Sequence, residues 1–178
     1  MLDLRNNQLT DVSALKELTQ LKVLVLSNNQ ISDVGALKGL TQLTELWLNP
    51  NKLTNVKGLE NLTQLKVLQL GHNQLNDVTG LEKLDQLGYL NLNDNQLTDV
   101  KGLEKLTQLT SLYLEGNPDL TNAQITQLQK ALPKCKIYSD PKKSAIVEIA
   151  DPIVEKAIRE SLKKPTGELT EADLEKVT

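Results

Sequence analysis

Residues 43–64 read Leu43-Thr-Glu-Leu46-Trp-Leu48-Asn-Pro-Asn51-Lys-Leu53-Thr-Asn-Val56-Lys-Gly-Leu59-Glu-Asn-Leu62-Thr-Gln64, and this unit decides the fold. Units beginning at Leu21, Leu65, Leu87 and Leu109 share its opening, L-x-x-L-x-L-x-x-N-x-L, with Ile31 at the last place in one and that leucine displaced to Leu120 in another. The asparagines keep a step of 22 residues through Asn7, Asn29, Asn51, Asn73, Asn95 and Asn117. A fixed period of about 20–29 residues means one short unit that buries its apolar side only by stacking on copies of itself.

The spacing within the unit gives its shape. Leu46 and Leu48 alternate with outward residues, as in a short strand whose leucines face a core. Successive strands then form a parallel sheet. Where the chain turns off the strand, backbone groups face the interior and need partners. An Asn amide supplies both a donor and an acceptor, so the six asparagines are expected to satisfy the turn as a stacked ladder. Asp11, Asp33, Asn55, Asp77 and Asp99 each precede a valine and are expected to cap a short helical turn on the convex side. Leucines three apart, such as Leu37 and Leu40 or Leu59 and Leu62, suit 3₁₀ geometry.

Composition agrees with a thin repeated core. About a fifth of the 178 residues are leucine, Phe is absent, and the aromatics are Trp47 and three tyrosines. A net charge of −3 disfavours nucleic acid, which calls for a basic stripe. No apolar run reaches membrane-spanning length, so no membrane insertion is expected, and no signal peptide opens the chain. Cys135 is the only cysteine, which excludes an internal disulfide, and its apolar flanks suit a buried small side chain.

The 22-residue unit, most clearly Asn-Gln-Leu-Thr-Asp-Val at 7–12 and 95–100, resembles the bacterial leucine-rich repeats of the internalin type. The resemblance implies an α/β fold: a right-handed solenoid with a parallel concave sheet, short 3₁₀ turns on the convex side and helical caps. It also implies protein binding on the concave face.

The outward strand positions fall into columns. One holds Val23, Glu45, Val67, Tyr89 and Ser111; the next holds Asp3, Val25, Trp47, Gln69, Asn91 and Tyr113. Beyond them lie Arg5, Ser27, Asn49, Gly71, Asn93 and Glu115. With strands about 4.8 Å apart, Val23, Val25, Trp47, Val67 and Tyr89 make one patch. Aromatic anchors in a polar surround suit a protein interface. Val23, Val25, Trp47, Val67, Gln69, Tyr89 and Tyr113 are therefore the expected contacts for a protein or peptide ligand.

The domain plan is residues 1–120 for the solenoid, 121–138 for a C-terminal cap, 139–145 for a polar linker and 146–178 for a further strand and helices. In the cap, Thr121-Asn-Ala-Gln124 reads as a capping box. Ile125, Leu128, Ala131 and Leu132 share a helical face before Pro133, and residues 135–138 suit a final strand. In the last segment, residues 146–149 suit a strand, Asp151-Pro152 starts a helix, and Thr170-Glu-Ala-Asp173 starts a second.

In internalin-like proteins such a segment precedes the first repeat, whereas here it follows the last. If Thr178 were joined to Met1, Val177 and Leu174 would each fall 22 residues before Leu21 and Leu18. That register predicts a circular permutant or a unit cut from a tandem array. Its displaced cap (Val154, Ile158, Leu162, Leu174, Val177) would cover the open edge at Leu2 and Leu4, on the same chain or on another copy. Head-to-tail docking would give rings or filaments, and cap exchange a dimer.

Chemistry finds no purchase in this sequence. His72 is the only histidine and has no evident nucleophile beside it, and one His and one Cys far apart make a poor metal set. Gly58, Gly80 and Gly102 recur in repeat turns and form no phosphate loop. The expectation is a non-enzymatic scaffold with no catalytic residue, cofactor or metal.

Overall fold

The computed structural model describes residues 1–140, 149–167, 169–174 and 176–177. The chain divides into two compact units, Met1–Asp140 and Pro141–Thr178.

The first unit is built on one parallel sheet. Its strands are β1 (Leu2–Asp3), β2 (Val23–Val25), β3 (Glu45–Trp47), β4 (Val67–Gln69), β5 (Tyr89–Asn91), β6 (Ser111–Tyr113) and β7 (Lys136–Tyr138), paired in chain order. Leu24, Leu46, Leu68, Leu90 and Leu112 stand opposite one another across adjacent strands, and all are fully buried. The register shift between strands equals the sequence period, so each position stacks on its own equivalent. That is the physical content of the repeat.

The asparagine ladder ties one unit to the next. Asn73 Nδ2 donates to Leu70 O at 3.0 Å and to Leu48 O of the preceding repeat at 3.2 Å. Its Oδ1 accepts from Leu53 N at 3.0 Å, also in the preceding repeat. Asn29, Asn51, Asn95 and Asn117 repeat the arrangement. Asn7 has no repeat before it; it is exposed and donates to Leu4 O and Arg5 O.

On the opposite side, 3₁₀ turns form at Ser13–Leu15, Gly35–Gly39, Leu81–Lys83 and Leu103–Lys105. The repeat containing Leu59 makes turns only. The expected Asp or Asn caps are corrected here. Val12, Val34, Gly80 and Gly102 occupy the capping positions without a side-chain hydrogen bond. The acidic or amide side chain instead accepts from the N–H two residues on, as Asp11 does from Ser13 and Asp77 from Thr79. This Asx turn bends the chain ahead of the helix, while the intervening valine goes into the core.

Residues 121–138 hold a helix and the last strand. Helix α1 (Asn122–Ala131) opens on a reciprocal capping box between Thr121 and Gln124, and Leu128 and Leu132 are buried on the last layer. Ala131, expected on the same face, is exposed. At the other end the first layer is less covered: Leu2, Leu4, Leu9, Leu15 and Leu21 are half-buried and Leu18 is 42% exposed.

The second unit contains α2 (Pro152–Leu162) and α3 (Glu171–Leu174). Asp151 Oδ1 caps α2 by accepting from Ile153 N and Val154 N, with Pro152 in the first turn. Thr170 and Asp173 cap α3 reciprocally. The strand expected at 146–149 lies, but for Ile149, outside the described residues, as does most of the 139–145 linker. Leu169 is the buried apolar residue among the described part of this unit.

Candidate protein-binding face

Because strand side chains alternate, every buried leucine fixes its two neighbours on the outer face. Register places Val23 beside Glu45, Glu45 beside Val67, Val67 beside Tyr89 and Tyr89 beside Ser111. The next column runs Asp3, Val25, Trp47, Gln69, Asn91 and Tyr113. All seven of Val23, Val25, Trp47, Val67, Gln69, Tyr89 and Tyr113 thus lie on one face. Val25 is buried on it, and the other six are partly exposed.

The column continues where sequence counting stopped. Tyr138 pairs with Tyr113 across β6 and β7, so all four aromatic residues share this face. Tyr89 and Tyr113 have ring centroids 5.2 Å apart at 38°, and Tyr113 and Tyr138 stack at 4.6 Å and 11°. Burial, and next the neighbouring Tyr89 and Tyr138, push the Tyr113 hydroxyl above its ordinary range.

Trp47 is partly exposed, yet its Nε1 is covered and has no hydrogen-bond partner. The indole therefore presents carbon surface to solvent. Ser27 Oγ and Asn49 Oδ1, in the neighbouring column, are likewise buried and unpaired. Asn49 is joined to Pro50 by a cis peptide bond.

Charges border the tyrosines. Glu115 follows Tyr113 by two residues and Asp140 follows Tyr138 by two, and the Glu115 charge adds to the rise of the Tyr113 hydroxyl. Asp140 Oδ2 accepts from Gly116 N at 2.7 Å, which holds it beside the Glu115 strand. Glu115 Oε2 accepts from Asn93 Nδ2 at 3.1 Å. His72, exposed on the adjoining rim, places Nδ1 3.3 Å from Asp94 Oδ2. Arg5 is committed to Asp3 at the far end.

Among the described residues no group of three His, Cys, Asp or Glu side chains could hold a metal ion. No helix among them is long and apolar enough to cross a membrane. Cys135 is buried in the core below α1, and burial pushes its thiol up.

A sheet of this register, with a stacked asparagine ladder and 3₁₀ turns behind it, defines a repeat scaffold that presents a broad surface. The model for "Leucine Rich repeats (2 copies)" matches residues 1–39, 19–59, 41–83 and 85–133. The chain belongs to the leucine-rich repeat family, and its repeats are internalin-like. An internalin from Listeria monocytogenes (inlF) superposes with a TM-score of 0.71 at 33% identity, covering 78% of this chain and 42% of that one. Internalin C2 of the same organism gives 0.69 at 33%, covering 78% and 60%. A leucine-rich repeat protein of Leptospira interrogans gives 0.69 at 34%, covering 75% and 36%. This chain therefore spans between about a third and three-fifths of the length of these neighbours. No curated protein sequence matches it.

Proposed function

We propose that this chain is a non-enzymatic scaffold whose outward sheet face binds a protein or peptide ligand. One observation carries the reading: the aromatic residues of a chain very poor in them are all gathered on that face. Rings held by backbone pairing give large contact area at small entropic cost, which is what interface anchors need. The core below them is leucine and asparagine, so the anchors can be removed without opening it. A displayed random-peptide library selected on the wild-type protein provides the test. Peptides so enriched should lose binding to the Trp47→Ala, Tyr89→Ala double variant, while its unfolding stays cooperative. Enriched peptides that bind the variant as well as the wild type would overturn the reading.

A second reading is self-association through a displaced cap. It is supported by Leu18, 42% exposed at the first layer, and by Val154 and Val177, 48% and 37% exposed in the second unit. Strand β1 (Leu2–Asp3) is also the edge of the sheet among the described residues. Val154, Ile158, Leu162, Leu174 and Val177 of one copy would meet that edge on the next. Light scattering across concentration checks this: mass should rise with concentration and fall back in Leu18→Lys. A constant monomer mass excludes it.

A further inference from the structure

The tyrosine end of the face differs chemically from the Trp47 end. Around Trp47 stand valines and uncharged amides with a single carboxylate, Glu45. Beside Tyr113 and Tyr138, Glu115 and Asp140 each follow a ring by two residues, and Asp140 is held to Gly116 N, next to Glu115. No lysine or arginine among the described residues pairs with either carboxylate. Each is held by a neutral donor instead, Asn93 Nδ2 for Glu115 and Gly116 N for Asp140. Hydrogen bonding to neutral groups orients a carboxylate and leaves its charge uncompensated. Lys136 borders the row on the side away from these carboxylates.

We infer that Tyr113, Tyr138, Glu115 and Asp140 form a subsite for an arginine-bearing segment of the peptide that this face binds. The inference rests on the binding role proposed above and names the chemistry of the partner. A guanidinium is flat and weakly hydrated; it stacks on a phenol ring while its N–H fork reaches a carboxylate. Tyr138, 40% exposed and backed by Tyr113 at 4.6 Å, offers the ring, and Glu115 and Asp140 offer the carboxylates. A lysine ammonium gains the charge term and loses the planar stacking. An acidic segment would meet two carboxylates.

Fluorescence anisotropy with short labelled peptides alternating glycine with arginine, lysine, glutamine or glutamate tests the subsite. The arginine peptide should bind saturably, about tenfold tighter than the glutamine peptide and ahead of lysine, with binding that weakens at high salt. Tyr113→Ala should weaken it about fivefold or more, and so should the surface pair Glu115→Gln, Asp140→Asn, while Tyr113→Phe keeps the ring and the binding. Thr79→Ala, at an exposed turn off the sheet, should leave it within about twofold. Equal binding of the glutamine or glutamate peptide, or no effect of the carboxylate pair, overturns the inference. An arginine peptide that fails while library peptides still depend on Trp47 and Tyr89 removes this subsite alone and leaves the face as a binding surface.

Discussion

At the scale of single residues, the asparagines differ in what their loss exposes. Asn73 is 7% exposed and serves three carbonyls and one N–H, two of these four groups belonging to the preceding repeat. Its removal leaves the buried Leu53 N without a partner, at roughly 1–3 kcal/mol where water cannot reach it, while Leu48 O keeps Asn51 Nδ2 and Leu70 O keeps Asn95 Nδ2. Asn73→Ala should therefore destabilise the repeat unit by about 1–3 kcal/mol in urea unfolding. Asn7→Ala removes only local bonds at an exposed end and should cost under about 1 kcal/mol. Equal costs at the two positions would mean that the ladder adds nothing between repeats. The identity of Asn as turn partner was legible from its step of 22 residues. Its reach into the preceding repeat follows only once register sets one unit against the next.

At the scale of elements, the turns behind the sheet show where local sequence fails to read through. Gly58 has φ +96°, and a Cβ there would lie 2.7 Å from the Cα of Gly35 in the neighbouring repeat. Gly80 has φ +106°, but its nearest neighbour would be Glu60 Cβ at an ordinary 3.6 Å. Gly80→Ala should cost only the left-handed backbone term, about 1–2 kcal/mol. Gly58→Ala adds a backbone collision and should cost about 2–4 kcal/mol. Thermal unfolding of the two variants separates the terms, and equal losses would refute the close contact of turns. Recurring glycine was visible in the sequence, but the collision depends on two adjacent units both giving up a side chain. Tyr138 was missed for a related reason. The step from Tyr113 to its strand partner is 25 residues, because α1 and its capping loop replace the usual turn, so counting by 22 stops three residues short, at Cys135. The signal was the apolar alternation after Pro133, which predicted the strand but not its column. Likewise, valine ahead of each 3₁₀ turn is a core residue first, and the Asx side chain works one step earlier than its capping propensity suggests.

At the scale of the whole chain, the two units hold together by different chemistry, and acid should tell them apart. The repeat unit rests on a continuous leucine core and on amides, neither of which titrates. Among the described residues of the second unit, Leu169 is the buried apolar side chain, and a charged cluster stands near it in sequence. Asp173 accepts from Lys164 Nζ at 2.6 Å, from Thr170 Oγ1 at 2.9 Å and from Thr170 N at 3.1 Å. The Lys164 bond first, and then Thr170, lower its carboxyl from 3.8 to about 2. A carboxyl that ionises more readily when folded stabilises the fold at any pH above its ordinary value. That contribution falls away as pH drops from about 4 through about 2. Acidification over this window should therefore loosen α3 and its cap, seen as loss of the Thr170, Asp173 and Leu174 amide protection, while the amides of β3, β4 and β5 stay protected. Asp173→Asn should already show the loosened state at neutral pH and should respond little to acid in this window. If wild-type protection around α3 were flat from pH 5 to about 2, or were lost together with that of the sheet, Asp173 would not be the residue that holds this unit.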